Sequence, residues 1–174
     1  ILLLAIVTRL IFFQSPEKAA MEAAKEEANQ KNIDIPYVSG DPVLGKKNAS
    51  ITLIVFGDFG CPSCAKMHET LLETLENFPN NIRIVWKGLP VTRYPVASDR
   101  AHAYAYCANK QNKFTALSKE LFLHPESLQE ADLVAAAQRA GLSEKQLASC
   151  LASTEPADHI DKTKNIKFSI KIPG

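Results

Sequence analysis

The chain has 174 residues, of which 46% are hydrophobic and 22% are charged. This composition suits one globular domain with an ordinary core and a short appendage, and it argues against a second full domain. Lys and Arg number 20 against 19 for Asp and Glu, and the two signs are mixed along the chain. The charge therefore gives no indication of a nucleic-acid partner or of an acidic substrate.

The N-terminal segment, residues 1–14, predicts a partial membrane anchor or signal segment. It is apolar except for a break at Thr8 and Arg9. Because spanning a bilayer takes about 20 apolar residues, we expect further residues upstream and read the chain as a fragment. No small-residue cleavage signal directly follows Phe13, which favours an uncleaved anchor. Cleavage near the later alanine pairs and a buried N-terminal helix are the alternatives.

Residues 15–32 follow as a predicted spacer. They are rich in Ala, Glu and Lys and contain few large apolar side chains, a composition typical of a solvated helix. Such a helix would hold the folded domain, predicted over residues 33–174, away from a membrane.

The folded domain begins with a predicted β-α-β unit over residues 51–86. Ile51–Phe56 is an apolar, β-branched run typical of a strand buried on both faces. Ala65–Phe78 carries apolar residues at helical spacing, and Ile82–Trp86 predicts a second buried strand. The two strands should be parallel, which makes the domain α/β. The sequence Cys61-Pro62-Ser63-Cys64 then lies at the junction of strand and helix.

A helical insertion is predicted over about residues 96–153, because helix-period apolar residues recur there between turn signals. Its predicted helices are Ala97–Asn109, Phe114–Leu123, Leu128–Ala140 and Glu144–Ala152. Residues 156–167 favour one more helix, and the alternation in Phe168–Ile172 indicates the start of another strand.

The chemistry of the chain is predicted to reside in the Cys-Pro-Ser-Cys motif. At the start of a helix, the Cys61 sulfur lies near unsatisfied N–H groups and the positive end of the helix dipole, which favours the thiolate. Cys61 is therefore the predicted nucleophile, with a lowered pKa. Cys64 lies one turn further on, within reach of a mixed disulfide on Cys61. Pro62 suits the first helical turn, and Ser63 offers only uncharged donors to tune the thiolate.

A zinc-binding module is one alternative, because Cys61, Cys64 and His68 supply three ligands on one element. No local pair supplies a fourth ligand, however, and His68 is more simply an exposed helix residue, so we expect no metal. A purely structural disulfide between Cys61 and Cys64 is a weaker alternative, because so short a loop would stabilise little.

The motif in its context resembles the DsbA-like branch of the thioredoxin superfamily. The resemblance is carried by Phe56–Met67, with the sequence FGDFGCPSCAKM, and by Tyr106–Phe114 in the helical block, and it covers about residues 38–174. It implies a thioredoxin-like fold with an inserted helical subdomain, and disulfide exchange with cysteine-containing protein substrates outside the cytoplasm. It also implies reoxidation by a membrane partner of the DsbB or vitamin K epoxide reductase type. It implies no cofactor.

The chain departs from this family pattern in two places. Many thioredoxin-like enzymes carry a buried acidic residue six positions before the first motif cysteine, where this chain has Val55. Asp58 lies nearer, and we expect it to be a turn or cap residue, with proton acceptor as the alternative. Family members also place a cis-proline loop against the motif. Either Pro173 is that proline or it lies just beyond Gly174, so we expect the C-terminal part of the fold to be truncated.

Cys107 and Cys150 lie on predicted helices of the insertion, and in similar proteins such a pair can form a second disulfide. In an oxidising compartment the bond would stabilise the fold by about 4 kcal/mol. Alternatively, each is a small buried hydrophobe.

The remaining candidates receive structural or client-docking roles. His102, His124 and His159 have no catalytic partners nearby in the sequence, so we expect them at the surface or at helix caps. The aromatic residues Phe56, Phe59, Phe114, Phe122 and Trp86 are predicted to pack in the core and beside the motif, and Phe59 could also form a hydrophobic rim for unfolded clients.

The sequence as a whole predicts a membrane-anchored thiol–disulfide oxidoreductase that faces the periplasm or the extracellular side and acts as a dithiol oxidase. The alternative function is a non-catalytic client-binding or chaperone module on the same scaffold.

Overall fold

The computed structural model describes residues 35–170. The predicted anchor, the predicted spacer and Pro173 lie outside the described residues. Within the described part of the chain, no helix is both long enough and apolar enough to span a membrane.

The sheet of the domain has three strands, β1 (Val43–Gly45), β2 (Ile51–Gly57) and β3 (Ile82–Gly88), in the order β1-β3-β2. β2 and β3 are parallel, in a register that runs from Ile51 opposite Ile82 to Gly57 opposite Gly88. The helix α1 (Pro62–Asn77) connects them, because parallel neighbours need a crossover connection. The predicted β-α-β unit is thus confirmed.

The burial of the two parallel strands differs from the prediction. β3 lies between its two neighbours, and its Ile84 and Trp86 are almost completely buried. β2 pairs only with β3 in the described part of the chain, and its Ile51 and Ile54 are exposed. The expectation that β2 is buried on both faces is therefore wrong for the described residues. An apolar, β-branched run identifies a strand, but its place in the sheet depends on distant pairings.

Five helices follow β3. They are α2 (Asp99–Lys110), α3 (Phe114–Leu123), α4 (Glu130–Arg139), α5 (Glu144–Leu151) and α6 (Glu155–Ile170). The first four fall within about two residues of the predicted helices. The strand predicted from Phe168 is wrong for the described residues, because the backbone of α6 continues to Ile170. A few alternating residues cannot distinguish the end of a helix from the start of a strand.

The core forms where the helical block meets the sheet. Phe59, Trp86, Phe114 and Phe122 form an aromatic cluster with ring centroids 4.9–6.1 Å apart. Aromatic rings at such separations contribute packing energy beyond their buried area. This cluster lies directly beneath the loop between β2 and α1, which leads into the cysteine motif.

Candidate functional site

The motif cysteines occupy the first turn of α1. Cys61 is the N-cap residue, with φ −104° and ψ 114°, and Pro62 is the first helical residue. Proline suits this position because its missing N–H has no partner in the first turn, and its fixed φ is already helical. The chain thus leaves β2 at Gly57, turns over four residues and presents the Cys61 sulfur at a helix N-terminus.

The environment of Cys61 favours its thiolate. Its Sγ lies 3.0 Å from the hydroxyl oxygen of Ser63. Partial burial opposes ionisation, but the Ser63 hydroxyl, the Cys64 thiol and the N–H groups of both residues hold the pKa of Cys61 below the usual 9.0. Because these donors belong to the first helical turn, the geometry that starts the helix also stabilises the charge.

Cys64 has the opposite tendency. The pKa of its thiol is raised to about 11, mainly by burial and also by the Cys61 sulfur and the Asp58 carboxylate. A hydrogen bond from the Asp58 backbone acts in the opposite direction. Both motif cysteines are free thiols in this structure. Of the two motif thiols, Cys61 therefore ionises first as the pH rises, and Cys64 keeps its proton to higher pH.

Asp58 anchors the motif loop, and the residue is 2% exposed. Oδ1 accepts hydrogen bonds from the Gly60 N–H at 3.1 Å and from His102 Nε2 at 3.2 Å. Oδ2 accepts from the N–H groups of Val91 and Thr92 at 2.7 and 2.6 Å. The bond to Gly60 is the expected turn interaction, but the other three tie together the motif loop, the segment after β3 and helix α2.

These four hydrogen bonds fill the accepting sites of the Asp58 carboxylate. Burial acts to raise the pKa of Asp58, but the hydrogen bonds from His102 and from the N–H groups of Thr92 and Gly60 hold that pKa well below its usual range. A carboxylate that is ionised and fully occupied is a weak proton acceptor. The geometry therefore supports a positioning role for Asp58 over the proton-acceptor alternative.

Three histidines lie in places that differ from the prediction. His68 was expected to be exposed, and His102 and His159 to lie at the surface or at caps, but all three are buried. Burial lowers the pKa of His102, and because the Asp58 carboxylate only accepts, its Nε2 carries the proton. The sequence predictions failed because a polar residue on an apolar helix face can be buried when a residue far away in the sequence supplies its partner. His124 is exposed, beside Glu126.

His68 does not face the motif cysteines as a ligand would. Its Nε2 lies 3.0 Å from the Ser118 hydroxyl, and its ring packs against Phe122 and Trp86. Burial lowers the pKa of His68 to about 4. Among residues 35–170, no group of three or more His, Cys, Asp or Glu side chains is arranged to hold a metal ion.

A second buried network lies beside β3 and was missed by the sequence predictions. The side chain of Lys87 is completely buried, and its Nζ contacts Asp41 Oδ2 and the Pro36 carbonyl, each at 2.6 Å. Asp41 Oδ1 lies 3.0 Å from His159 Nε2. This network links the segment before β1 to β3 and α6. The sequence indicates this network only through a lysine at the end of an apolar strand.

Three further residues named in the sequence analysis lie away from the motif surface. Phe59 is completely buried in the aromatic cluster, which confirms its predicted core packing, and the additional expectation that it forms an exposed rim is wrong. Cys107 of α2 and Cys150 of α5 form a disulfide with a Cα–Cα distance of 5.8 Å. This bond fastens two helices of the insertion and is separate from the motif.

A family model described as Thioredoxin matches residues 38–168 of the chain. Among solved structures, a thioredoxin-like oxidoreductase from Silicibacter pomeroyi has a TM-score of 0.69 and 25% identity. The superposition covers 79% of this chain and 78% of that protein.

Two relatives match over shorter lengths. The Na(+)/H(+) antiporter NhaA 1 of Mycolicibacterium gilvum is 34% identical over 107 residues, which is 61% of this chain and 17% of the antiporter. Disulfide bond formation protein D of Bacillus subtilis is 35% identical over 51 residues, which is 29% of this chain and 23% of that protein. The chain thus spans less than a quarter of the length of either relative.

Proposed function

Because the chain belongs to the thioredoxin family, with the fold of its DsbA-like members, we propose that it is a thiol–disulfide oxidoreductase that oxidises dithiols in protein clients. The observation that carries the proposal is the asymmetry of the motif. One sulfur, Cys61, has a lowered pKa at a helix N-terminus, and the other, Cys64, has a pKa raised to about 11. Such a pair has one sulfur suited to exchange and one suited to resolution.

The proposed reaction begins with a disulfide between Cys61 and Cys64. A client thiolate attacks Cys61 Sγ, the bond between the motif sulfurs breaks, and Cys64 leaves with the electron pair and takes up a proton. The second client thiolate then attacks the client sulfur of the mixed disulfide, and Cys61 leaves as a thiolate. The client has lost two electrons to form its disulfide, and the protein has become the dithiol.

The lowered pKa of Cys61 supports the oxidising direction. A thiolate of low pKa is a better leaving group, so the second step should release Cys61 readily. The donors that hold its charge, the Ser63 hydroxyl and the first-turn N–H groups, are already in place before the bond breaks. The same groups stabilise the reduced protein relative to its disulfide form, which makes the disulfide a stronger oxidant.

Cys64 should become reactive only while Cys61 is bonded to a client. Burial is the main cause of its raised pKa, but a hydrogen bond to Cys61 and the Cys61 charge act in the same direction. A mixed disulfide on Cys61 removes the charge. The pKa of Cys64 should then fall, so that its thiolate can break a mixed disulfide that the client has failed to resolve.

We propose an extracytoplasmic location, with attachment to a membrane through the N-terminal segment. The disulfide between Cys107 and Cys150 supports it, because structural disulfides persist mainly in oxidising compartments. Continued turnover requires an electron acceptor for the reduced motif. We propose a membrane partner of the DsbB or vitamin K epoxide reductase type, which would take two electrons from the Cys61–Cys64 dithiol and restore its disulfide.

The proposal is tested by following disulfide formation in a reduced two-cysteine peptide mixed with the oxidised protein. The wild-type protein should oxidise one peptide per motif, and Cys61→Ala should abolish the reaction. Cys107→Ala/Cys150→Ala removes the other two cysteines and should retain it. Full oxidation by Cys61→Ala would overturn the mechanism. Binding of the peptide without oxidation, unaffected by Cys61→Ala, would instead support the non-catalytic client-binding module.

A further inference from the structure

Three buried histidines join the helices that follow β3 to the rest of the domain. Each bonds a polar group that is far away in the sequence and belongs to the other side of this contact. The pairs are His68 with Ser118, His102 with Asp58, and His159 with Asp41. Two of the three partners are carboxylates, and the third is a hydroxyl.

His68 is the buried histidine whose partner is the hydroxyl. It lies on α1, one turn after Cys64, and its Nε2 is 3.0 Å from the hydroxyl oxygen of Ser118 on α3. The Ser118 hydroxyl donates its one hydrogen to the Thr115 carbonyl at 3.1 Å, so its oxygen accepts from the His68 Nε2–H. Nδ1 is then the atom that would take up a second proton.

The packing around His68 leaves no room for the hydration of a charge. The residue is 3% exposed. Its ring lies 4.7 Å from the ring of Phe122 on α3 and stands perpendicular to the ring of Trp86 on β3. A second proton would therefore place a charge among aromatic side chains, which is costly unless an anion is beside it.

The charged groups near His68 do not supply that anion. Lys119 on α3 carries a positive charge, and burial together with this charge lowers the pKa of His68 to about 4. On α1 itself, Cys64 keeps its proton in acid because its pKa is raised, and the side chain of Glu69 is exposed. A second proton on His102 would face the Asp58 carboxylate, whereas one on His68 faces no anion.

The sign of the pH effect follows from the position of this pKa. A pKa of about 4 is below the ordinary 6.5 of an exposed histidine. A state in which His68 is released to solvent therefore binds the proton more tightly than the closed state does. The contribution of the closed contact is complete above about pH 6.5 and is lost as the pH falls towards 4.

We propose that His68 is an acid-sensitive lock between the motif helix α1 and helix α3, closed at neutral pH and opened in acid by uptake of a proton on Nδ1. Opening separates His68 from Ser118 and Phe122, which both lie on α3. The contact of α3 with α1 is loosened as a result. This device goes beyond the proposed function and does not depend on it.

Hydrogen exchange tests the lock, because the protection of an amide, corrected for the intrinsic effect of pH, measures local opening. In the wild-type protein the protection of the α3 amides should fall by up to about tenfold per pH unit between pH 6.5 and 4. His68→Gln keeps an N–H for Ser118 but cannot take up a proton, so its decline should be less steep. His124→Gln is the matched control, because His124 is exposed, and it should follow the wild-type protein.

An equal pH dependence in the wild-type protein and His68→Gln would overturn the lock. An equal loss of protection in all helices would also overturn it, because the whole domain would then be opening. NMR titration of the histidine ring protons in the wild-type protein is a second measurement that needs no folded variant. His68 should titrate near pH 4, and a midpoint at or above the ordinary 6.5 would contradict the proposal.

Discussion

The substitution Asp58→Asn removes the anchor beneath the motif while keeping the size of the side chain. In the native protein each carboxylate oxygen accepts two hydrogen bonds. Oδ1 accepts from Gly60 and His102, and Oδ2 accepts from Val91 and Thr92. An asparagine oxygen accepts two, and its NH₂ group cannot accept at all. While His102 keeps its proton on Nε2, two of the four donors therefore lose their partner, whichever way the amide is turned.

The expected loss of stability follows from those two donors. A buried donor left unsatisfied costs about 1–3 kcal/mol, so Asp58→Asn should lower the free energy of unfolding by about 2–6 kcal/mol. This is a large part of the 5–15 kcal/mol or so that a domain of this size has in total. Loss of the carboxylate charge should also lower the pKa of Cys64, because that charge contributes to raising it to about 11.

Urea unfolding of the reduced protein measures the free energy of unfolding. Thiolate absorbance during a pH titration measures the pKa of Cys64. Asp161→Asn is the matched control, because Asp161 is exposed in the middle of α6 and should change neither quantity. If Asp58→Asn unfolded at the same urea concentration as Asp161→Asn, the four-bond anchor would be wrong. An unchanged or higher pKa of Cys64 would refute the electrostatic part of the reasoning.

Three further predictions concern separate parts of the molecule. Alkylation of Cys61 by iodoacetamide should slow as the pH falls through a pKa below 9.0, because the thiolate is the reacting form; a midpoint at or above 9.0 would contradict this. Lys87→Met should lower the free energy of unfolding by about 3–5 kcal/mol, because it leaves Asp41 buried without its cation; an unchanged urea midpoint would argue against the buried pair. Cys107→Ala/Cys150→Ala should cost about 4 kcal/mol in urea unfolding without reductant, where the wild-type protein keeps this disulfide, from the loop entropy of a 43-residue separation, and a loss below about 1 kcal/mol would count against that account.

Local patterns were sufficient for most of the fold. The β-branched run before the motif and the apolar spacing of α1 predicted a parallel β-α-β unit, and β2 and β3 are parallel. Gly141 marks the turn between α4 and α5 in the sequence, and it has the positive φ of +72° that glycine tolerates. Such features are encoded within a few residues and can be read without knowledge of the tertiary structure.

Burial and pairing across long distances could not be read in the same way. Asp58 and His102 are 44 residues apart, and Asp41 and His159 are 118 apart. Each histidine taken alone was most simply a surface residue, because buried polar groups need a partner and none lay nearby in the sequence. The exposed edge of β2 and the burial of Phe59 depend likewise on which distant elements meet.

The position of the cysteine motif was predicted better than its surroundings. A Cys-x-x-Cys pair between a strand and a helix predicts a nucleophile at a helix N-terminus, and the structure places Cys61 at the N-cap of α1. The anchor at Asp58 and the segment after β3 could not be predicted, because Val91 and Thr92 lie more than 30 residues along the chain. Only the folded backbone brings their N–H groups to one carboxylate.

The central claim, that Cys61 is the sulfur that exchanges with clients, is tested most directly by trapping the mixed disulfide. Reaction of a one-cysteine peptide with Cys64→Ala in the presence of oxidised glutathione should leave the peptide bound to the protein by a disulfide, because neither Cys64 nor a second peptide thiol is there to resolve it. Peptide mapping by mass spectrometry should place that adduct on Cys61. Adducts on Cys107 or Cys150 alone, or adducts of equal yield with Cys61→Ala, would contradict the claim.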